Sequence, residues 1–421
     1  MPLTAGQRYF FGVKMADNKE PLIREVKTDW EELEAQIRRH RRRRHRRTLL
    51  IAVCAAAFAV IFYIGMQLKT YGEYRTADSI ERSDTQATQF LEADGAVLKY
   101  SNDGAMYTTI DNEVIWNQTF EMENPLAAVC GDYAAFADTD GQEIYVLNED
   151  GLQGQFETGM AIQKIDVSSG GTVAVLMSDG GVSYLALYDE TGECLAEGAI
   201  HMENAGYPLD IALTQDGKKL AVAVLDVASG SACTNVYFYN FDSVGQEEVD
   251  NIVNEIAYDD LVIPMIVCAD GNRLLAFSDS GVMIYEGSQI PEETGTVTVS
   301  GEIKSVFYDD SYIGLVYTDE EAGERTLAVY NAKGAEVMQV SLDISYDDIY
   351  FLENHEVCIQ NSEHCEIYTL HGIRKFAADF EEHELYYCMS RTGLRGYTFL
   401  IEGSTEKVWL KFFSALESDE E

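Results

Sequence analysis

The stretch IYVLNEDG, residues 144–151, joins an apolar-aromatic run to a tight polar turn ending in Gly. Ile, Tyr, Val and Leu suit a pleated, packed surface and Asn-Glu-Asp-Gly suits a reversal, so the phrase reads as a strand entering a hairpin turn. It recurs as YLALYDETG (184–192), VYFYNFDSVG (236–245), VMIYEG (282–287), LAVYNAKG (327–334) and IYTLHG (367–372), after a degenerate copy, MYTTIDNE (106–113). The turn positions Asn112, Gly151, Gly192, Gly245, Gly287, Gly334 and Gly372 lie 39, 41, 53, 42, 47 and 38 residues apart.

A second series runs about a dozen residues ahead of the first. It reads AVLKYSND (96–103), YAAFADTD (133–140), TVAVLMSD (172–179), KLAVAVLD (219–226), RLLAFSDS (273–280) and YIGLVYTD (312–319), each an apolar strand closed by an acidic turn. Two offset strands, with one before and one after, give four strands per ~40 residues, the size of a propeller blade. Eight units fill residues 84–415 at ~41 residues each. Seven is the alternative, with the terminal pieces 84–121 and 386–414 sharing one blade. The expected fold is therefore all-β: a β-propeller of eight blades preceded by one transmembrane helix.

That helix is TLLIAVCAAAFAVIFYIGMQL, residues 48–68, without a charge. At ~1.5 Å per residue it spans ~31 Å, matching a bilayer core. Its small residues Ala55, Ala56 and Ala57 lie mid-segment rather than at a cleavage site, which argues for an anchor over a signal peptide. Arg38, Arg39, Arg41, Arg42, Arg43, Arg44, Arg46 and Arg47 immediately precede it. Such a flank is a topology and lipid-headgroup signal that places the N-terminus in the cytoplasm and the rest outside. Thr28 and Glu31 form a capping-box pattern that opens a helix over 29–47. The layout is then a cytoplasmic tail with a basic juxtamembrane helix (1–47), the span (48–68), a linker (69–83), the propeller (84–415) and an acidic tail (416–421).

Charge follows the same division. Residues 1–47 hold 13 Lys+Arg against 7 Asp+Glu, and the remainder holds 17 against 65, within a whole-chain net charge of −42. An outer body this acidic repels phosphates, so nucleic acid is not an expected partner.

The strand NEVIWNQTF (112–120), echoed by TEKVWLKFF (405–413), resembles the final strand of quinoprotein-type repeats, in which a turn precedes a strand with a buried Trp. Phe156 and Phe376 hold comparable places in other units. Over roughly residues 40–415 the chain resembles uncharacterised single-pass membrane proteins of Gram-positive bacteria with an extracytoplasmic quinoprotein/WD40-like propeller. The resemblance implies fold and topology. It carries over no cofactor or calcium ligands, and no cofactor is expected.

No motif commits the chain to a reaction. DTDGQE, with Asp138, Asp140, Gly141 and Glu143, lacks the length, terminal Glu and helices of an EF-hand loop and reads as a structural turn. His355-Glu356 and His383-Glu384 lack the second His of a zinc-protease motif, and Ser404 and Lys407 form a lone SxxK. The outer Cys130, Cys194, Cys233, Cys268, Cys358, Cys365 and Cys388 include no CxxC and read mostly as small buried hydrophobes. Cys358 and Cys365 bracket a hairpin and are the best pair if one forms. No catalytic or metal-binding residue is named on this basis.

The expected function is a binding or scaffolding module of the cell envelope, touching membrane lipids through its anchor and a protein or envelope polymer through its propeller. The longer connections 226–235, 245–262 and 287–303 are the expected contact loops. An envelope hydrolase acting on glycans or lactones is the alternative, and it requires carboxylates with displaced titration around the central channel. A ligand sensor with a separate cytoplasmic partner is the third possibility.

Overall fold

A computed structural model of the chain describes residues 30–67, 69–82, 88–93, 96–201, 206–227, 230–319, 323–380, 382–391, 393 and 395–411. It divides into two units, one ending at Gln67 and the other beginning at Leu68. Thr28 of the expected capping box, and the acidic tail, lie outside the described residues.

The first unit contains one continuous helix, Trp30–Gln67, of 38 residues. Its window Arg44–Gly65 has a mean hydropathy of 2.5 over 22 residues, and none of it is buried against protein. Leu49, Phe58 and Ile61 are each more than 60% exposed. An apolar helix this long and this uncovered has the length and composition to cross a bilayer.

The second unit is a propeller of eight four-stranded antiparallel sheets. Blades 1 to 7 follow in order over 89–119, 125–157, 161–201, 207–259, 265–298, 301–341 and 348–379. Blade 8 takes three strands from 385–410 and its outermost from the start of the unit, Tyr74–Glu81, which pairs antiparallel with Ser404–Leu410. The expected 69–83 linker is thereby corrected: most of it is a strand that closes the ring. A ring of sheets has two free ends, and joining the first strand to the last blade ties them together.

Local chemistry explains the recurring turns. In LAVYNAKG the Gly334 N–H donates to the Asn331 carbonyl at 2.9 Å, and Asn331 Oδ1 accepts from the Lys333 and Ala335 N–H groups. Gly334 has φ +77°, and Asn112, Gly151, Gly192 and Gly372 at the equivalent places also have positive φ. In each of blades 1 to 7 the third and fourth strands slip register beside this turn. A reversal whose last residue is left-handed, followed by a bulge, is the three-residue hairpin that favours Gly or Asn at that position.

The two repeating series are the middle strands of the blades, and they are buried on both faces. Lys219–Asp226 and Gly396–Ile401 are almost wholly buried, whereas the outer strands Val114–Thr119 and Glu292–Thr298 are largely exposed. Eight separate hydrophobic clusters fill the seams between successive blades. Each blade is therefore a wall shared by two cores, and the middle strands read as continuous apolar runs.

Two expectations need correction. TEKVWLKFF falls on the third strand of blade 8, and Trp409 there is 42% exposed rather than buried. The expected contact loops 245–262 and 287–303 contain the outer strands Ile252–Asp259 and Glu292–Thr298. Their length serves the blades, with two 3-10 turns at Gly245–Glu247 and Val249–Asn251 before the first.

Candidate functional site

The first strands of the blades neighbour one another in succession and surround the axis. Pro125–Cys130, Ala161–Val167 and Asp348–Phe351 have residues that are only partly covered, as expected of a channel wall. Acidic groups interrupt these otherwise apolar strands. Asp166 stands on the first strand of blade 3 and Asp210 on that of blade 4.

Each of these carboxylates clips the next blade. Asp166 Oδ2 accepts the Leu213 N–H at 2.7 Å and Oδ1 accepts its neighbour Val167 N–H at 2.8 Å. Asp210 Oδ2 accepts the Ile266 N–H at 3.0 Å, while its Oδ1 lies 3.1 Å from Lys164 Nζ. Burial pushes the Asp166 carboxyl up to about 7; the two N–H groups oppose the rise and the Asp210 charge adds to it. Asp210 is raised by burial in spite of Lys164. Further round the channel, burial and the Glu353 charge push Glu92 up to about 7, and Asp348 is raised by burial and by Asp347. Burial, reinforced by Asp166, Cys268 and Asp210, holds the Tyr308 hydroxyl well above its ordinary value.

Asp166 and Glu92, each pushed up to about 7 on an innermost strand, can hold or release a proton near neutral pH. The sequence reading missed them because 72 acidic residues conceal any two. A weak signal exists: KIDV (164–167) and PLDI (208–211) both set an Asp within a strand that should have none.

The other singled-out residues are engaged elsewhere. Arg38, Arg39, Arg41, Arg42, Arg43, Arg44, Arg46 and Arg47 all lie within the helix Trp30–Gln67, and Arg44, Arg46 and Arg47 are exposed. Asp138 accepts the Glu123 and Asn124 N–H groups at 3.0 and 2.7 Å, pinning the entry to its own blade, and Asp140 accepts Gln163 at 2.8 Å. His355 is a left-handed turn residue at φ +61°, with Nδ1 2.7 Å from Asp309 Oδ2. Glu356 holds the buried Lys375 at 2.6 Å and accepts from Tyr397. Lys407 pairs with Asp111 and Asp78, not with Ser404.

Of the seven thiols after the helix, Cys194 is exposed and Cys130, Cys233 and Cys268 are half-buried, so the reading of most of them as buried is corrected to three. Burial pushes Cys130 and Cys268 up to about 11 and about 12. Cys358, Cys365 and Cys388 are fully buried and converge between blades 7 and 8. Cys358 and Cys365 occupy adjacent strands as the hairpin reading expects, with Sγ atoms 3.7 Å apart and both free. A second concavity, about 450 Å³, lies over blades 3 and 4, where Tyr237, Tyr239 and Phe241 face Glu197 and Asp250.

A family profile described as "Family of unknown function (DUF5711)" matches residues 67–410. The chain belongs to this family. No curated protein matches the sequence. Among solved structures the DUF5711 chain is similar to one titled "Crystal structure of the eukaryotic initiation factor", at 13% identity and TM-score 0.48, covering 77% of this chain and 88% of that one. It is also similar to the Neurospora crassa Pan2 WD40 domain, at 8% identity and TM-score 0.44, covering 83% and 98% respectively.

Proposed function

We propose that the protein is a membrane-anchored binding or scaffolding module, with its propeller held outside the cytoplasmic membrane in the cell envelope. The observation that carries this reading is the uncovered 22-residue apolar window Arg44–Gly65 directly ahead of a ring-shaped binding fold. The run Arg38–Arg47 supports an inside N-terminus and contact with anionic lipid headgroups. The strongly acidic remainder favours a basic protein patch or a cationic or neutral polymer as partner. Protease added to intact cells should digest the propeller and spare residues 1–47. Digestion only after the membrane is permeabilised would overturn the topology. Crosslinking in intact cells, followed by identification of what the propeller touches, supplies the partner.

The channel carboxyls favour a second reading, an envelope hydrolase. Asp166, raised to about 7, has the proton affinity of a general acid at neutral pH. Hydrolysis of a glycan or lactone by the wild type, lost in Asp166→Asn with ligand binding retained, would select this reading. Equal lack of turnover in both proteins would remove it.

A further inference from the structure

Seven cysteines follow the apolar helix, and three of them meet at one point. Cys358 comes from the second strand of blade 7, Cys365 from the third and Cys388 from the first strand of blade 8. All three are 0% exposed, and their sulfurs lie within 4.8 Å of one another, those of Cys358 and Cys365 3.7 Å apart. Cys388 is 23 residues beyond Cys365 and on a different sheet, so no local turn accounts for the meeting.

We infer that Cys358, Cys365 and Cys388 form a three-sulfur site for one soft monovalent cation, copper(I), at the seam between blades 7 and 8. Three sulfurs each about 2.3 Å from a central ion stand about 4 Å apart, and these three already lie within 4.8 Å of one another, so small side-chain shifts would close the site. Thiolate sulfur selects soft ions, which leaves copper(I) and zinc as the principal contenders.

The groups around the sulfurs decide between the two. Zinc takes four ligands. Gln360 Oε1, a neutral oxygen 3.8 Å from Cys358 Sγ, already accepts from Tyr350 Oη at 3.0 Å. The Gln360 amide nitrogen is committed as well, donating to the Tyr386 carbonyl at 2.9 Å. Tyr350 Oη also accepts the Cys388 N–H at 2.9 Å, so both groups are held in place by other bonds, and both are neutral. Leu352, Ile367, Phe376 and Phe399 complete a dry surround. Among the described residues no fourth Cys, His or carboxylate joins the three sulfurs, which suits a three-coordinate ion better than a four-coordinate one. The Tyr350 and Tyr387 rings stack at 4.7 Å beside the Cys388 strand, so an ion enters by displacing this pair or during folding.

The test uses the full chain in detergent, reduced and kept from oxygen, titrated separately with copper(I) alone and zinc(II) alone. One copper(I) per chain is expected, with sulfur as its sole neighbour by X-ray absorption. Cys388→Ser should weaken copper(I) binding by more than about 100-fold, since loss of groups that merely support a ligand already costs 10- to 100-fold. Cys233→Ser, remote from the cluster, should leave it unchanged. Should Cys388→Ser misfold, alkylation of the wild type provides the same answer: copper(I) should protect three cysteines from labelling on unfolding. Absence of copper(I) binding, binding indifferent to Cys388→Ser, or zinc bound more tightly with an oxygen or nitrogen neighbour would each overturn the assignment.

Discussion

The seams on either side of blade 8 are built differently. On the blade 7 side, fourteen buried residues form one cluster, among them Tyr71, Phe376, Tyr397, Phe399 and the three thiols. On the blade 1 side, the described residues supply only Val97, Met389 and Leu400, with Phe90, Ile110 and Tyr387 partly buried around them. Polar ties supplement that thin core. Arg82 reaches Thr405 Oγ1 at 2.9 Å and lies over the Phe90 ring, Asn112 donates to the Glu81 carbonyl at 3.3 Å, and Lys407 pairs with Asp111. The incoming chain reinforces the thicker seam too. Tyr71 exchanges backbone hydrogen bonds of 2.8 and 3.1 Å with Lys375 and Ala377 on the outer strand of blade 7, before Tyr74–Glu81 joins blade 8. Closure is thus achieved by a strand and a staple, with little apolar burial where the first blade meets the last.

Removing the strand breaks the comparison outright. Deletion of residues 74–81 should open the ring at the thin seam and abolish cooperative unfolding. Hydrogen exchange would then show blades 8 and 1 losing protection before blades 3 to 5; uniform protection would refute the closure role.

Two neighbours on one strand sharpen it. Phe399 and Leu400 point to opposite faces of Gly396–Ile401, one into each seam. Phe399→Ala should cost about 4 kcal/mol and Leu400→Ala about 2 kcal/mol in denaturant unfolding, because a dense core leaves a larger unrelaxed cavity. Equal losses would show that the seams are equivalent.

Lys375 tests the polar part of the thicker seam. It is 4% exposed, lies 5.3 Å from the Tyr397 ring centroid and neutralises Glu356. Lys375→Met should cost about 3 kcal/mol by stranding a buried carboxylate, and Glu356→Gln in the same chain should restore part of it.

A seam clipped by a carboxylate should respond to pH. The folded-state pKa of Asp166, between blades 3 and 4, is raised from 3.8 to about 7. Its contribution to stability is fully present below about pH 4 and is lost as pH rises through about 7, since the folded form binds the proton more tightly. Comparison with Asp166→Asn across that window should show a change of about 2 kcal/mol, allowing for partial access to channel water. A parallel pH profile in the two proteins would contradict the raised value.

The smallest effect belongs to the thin seam. Lys407→Met removes an ion pair whose Asp111 partner is 58% exposed, so its cost should stay below about 1 kcal/mol and shrink further in salt.

Much of this architecture is legible along the chain. The periodic phrase located the third strand in blades 1 to 7, and its turn in blades 1, 2, 3, 6 and 7 because Gly or Asn at a left-handed position is a local steric requirement; Gly245 and Gly287 are not left-handed. The twofold-buried middle strands were legible as apolar runs for the same local reason. The closing strand was not, since TADSIE (76–81) is mostly exposed and carries little apolar signal. The channel carboxyls were equally hidden: their character comes from enclosure and from amides on the next blade, not from their own neighbours in sequence.

Residue order alone established the apolar helix and the strand-and-turn unit recurring about every 40 residues, both of which depend on interactions within a few residues; eight blades rather than seven was fixed by the closing strand. The tertiary structure decided which strand shuts the ring, which carboxyls clip the next blade and which three of the seven thiols after the helix share a point. Those outcomes depend on how twisted sheets stack around an axis, bringing Tyr74 beside Leu410 and Cys358 beside Cys388, and no short-range pattern encodes such separations.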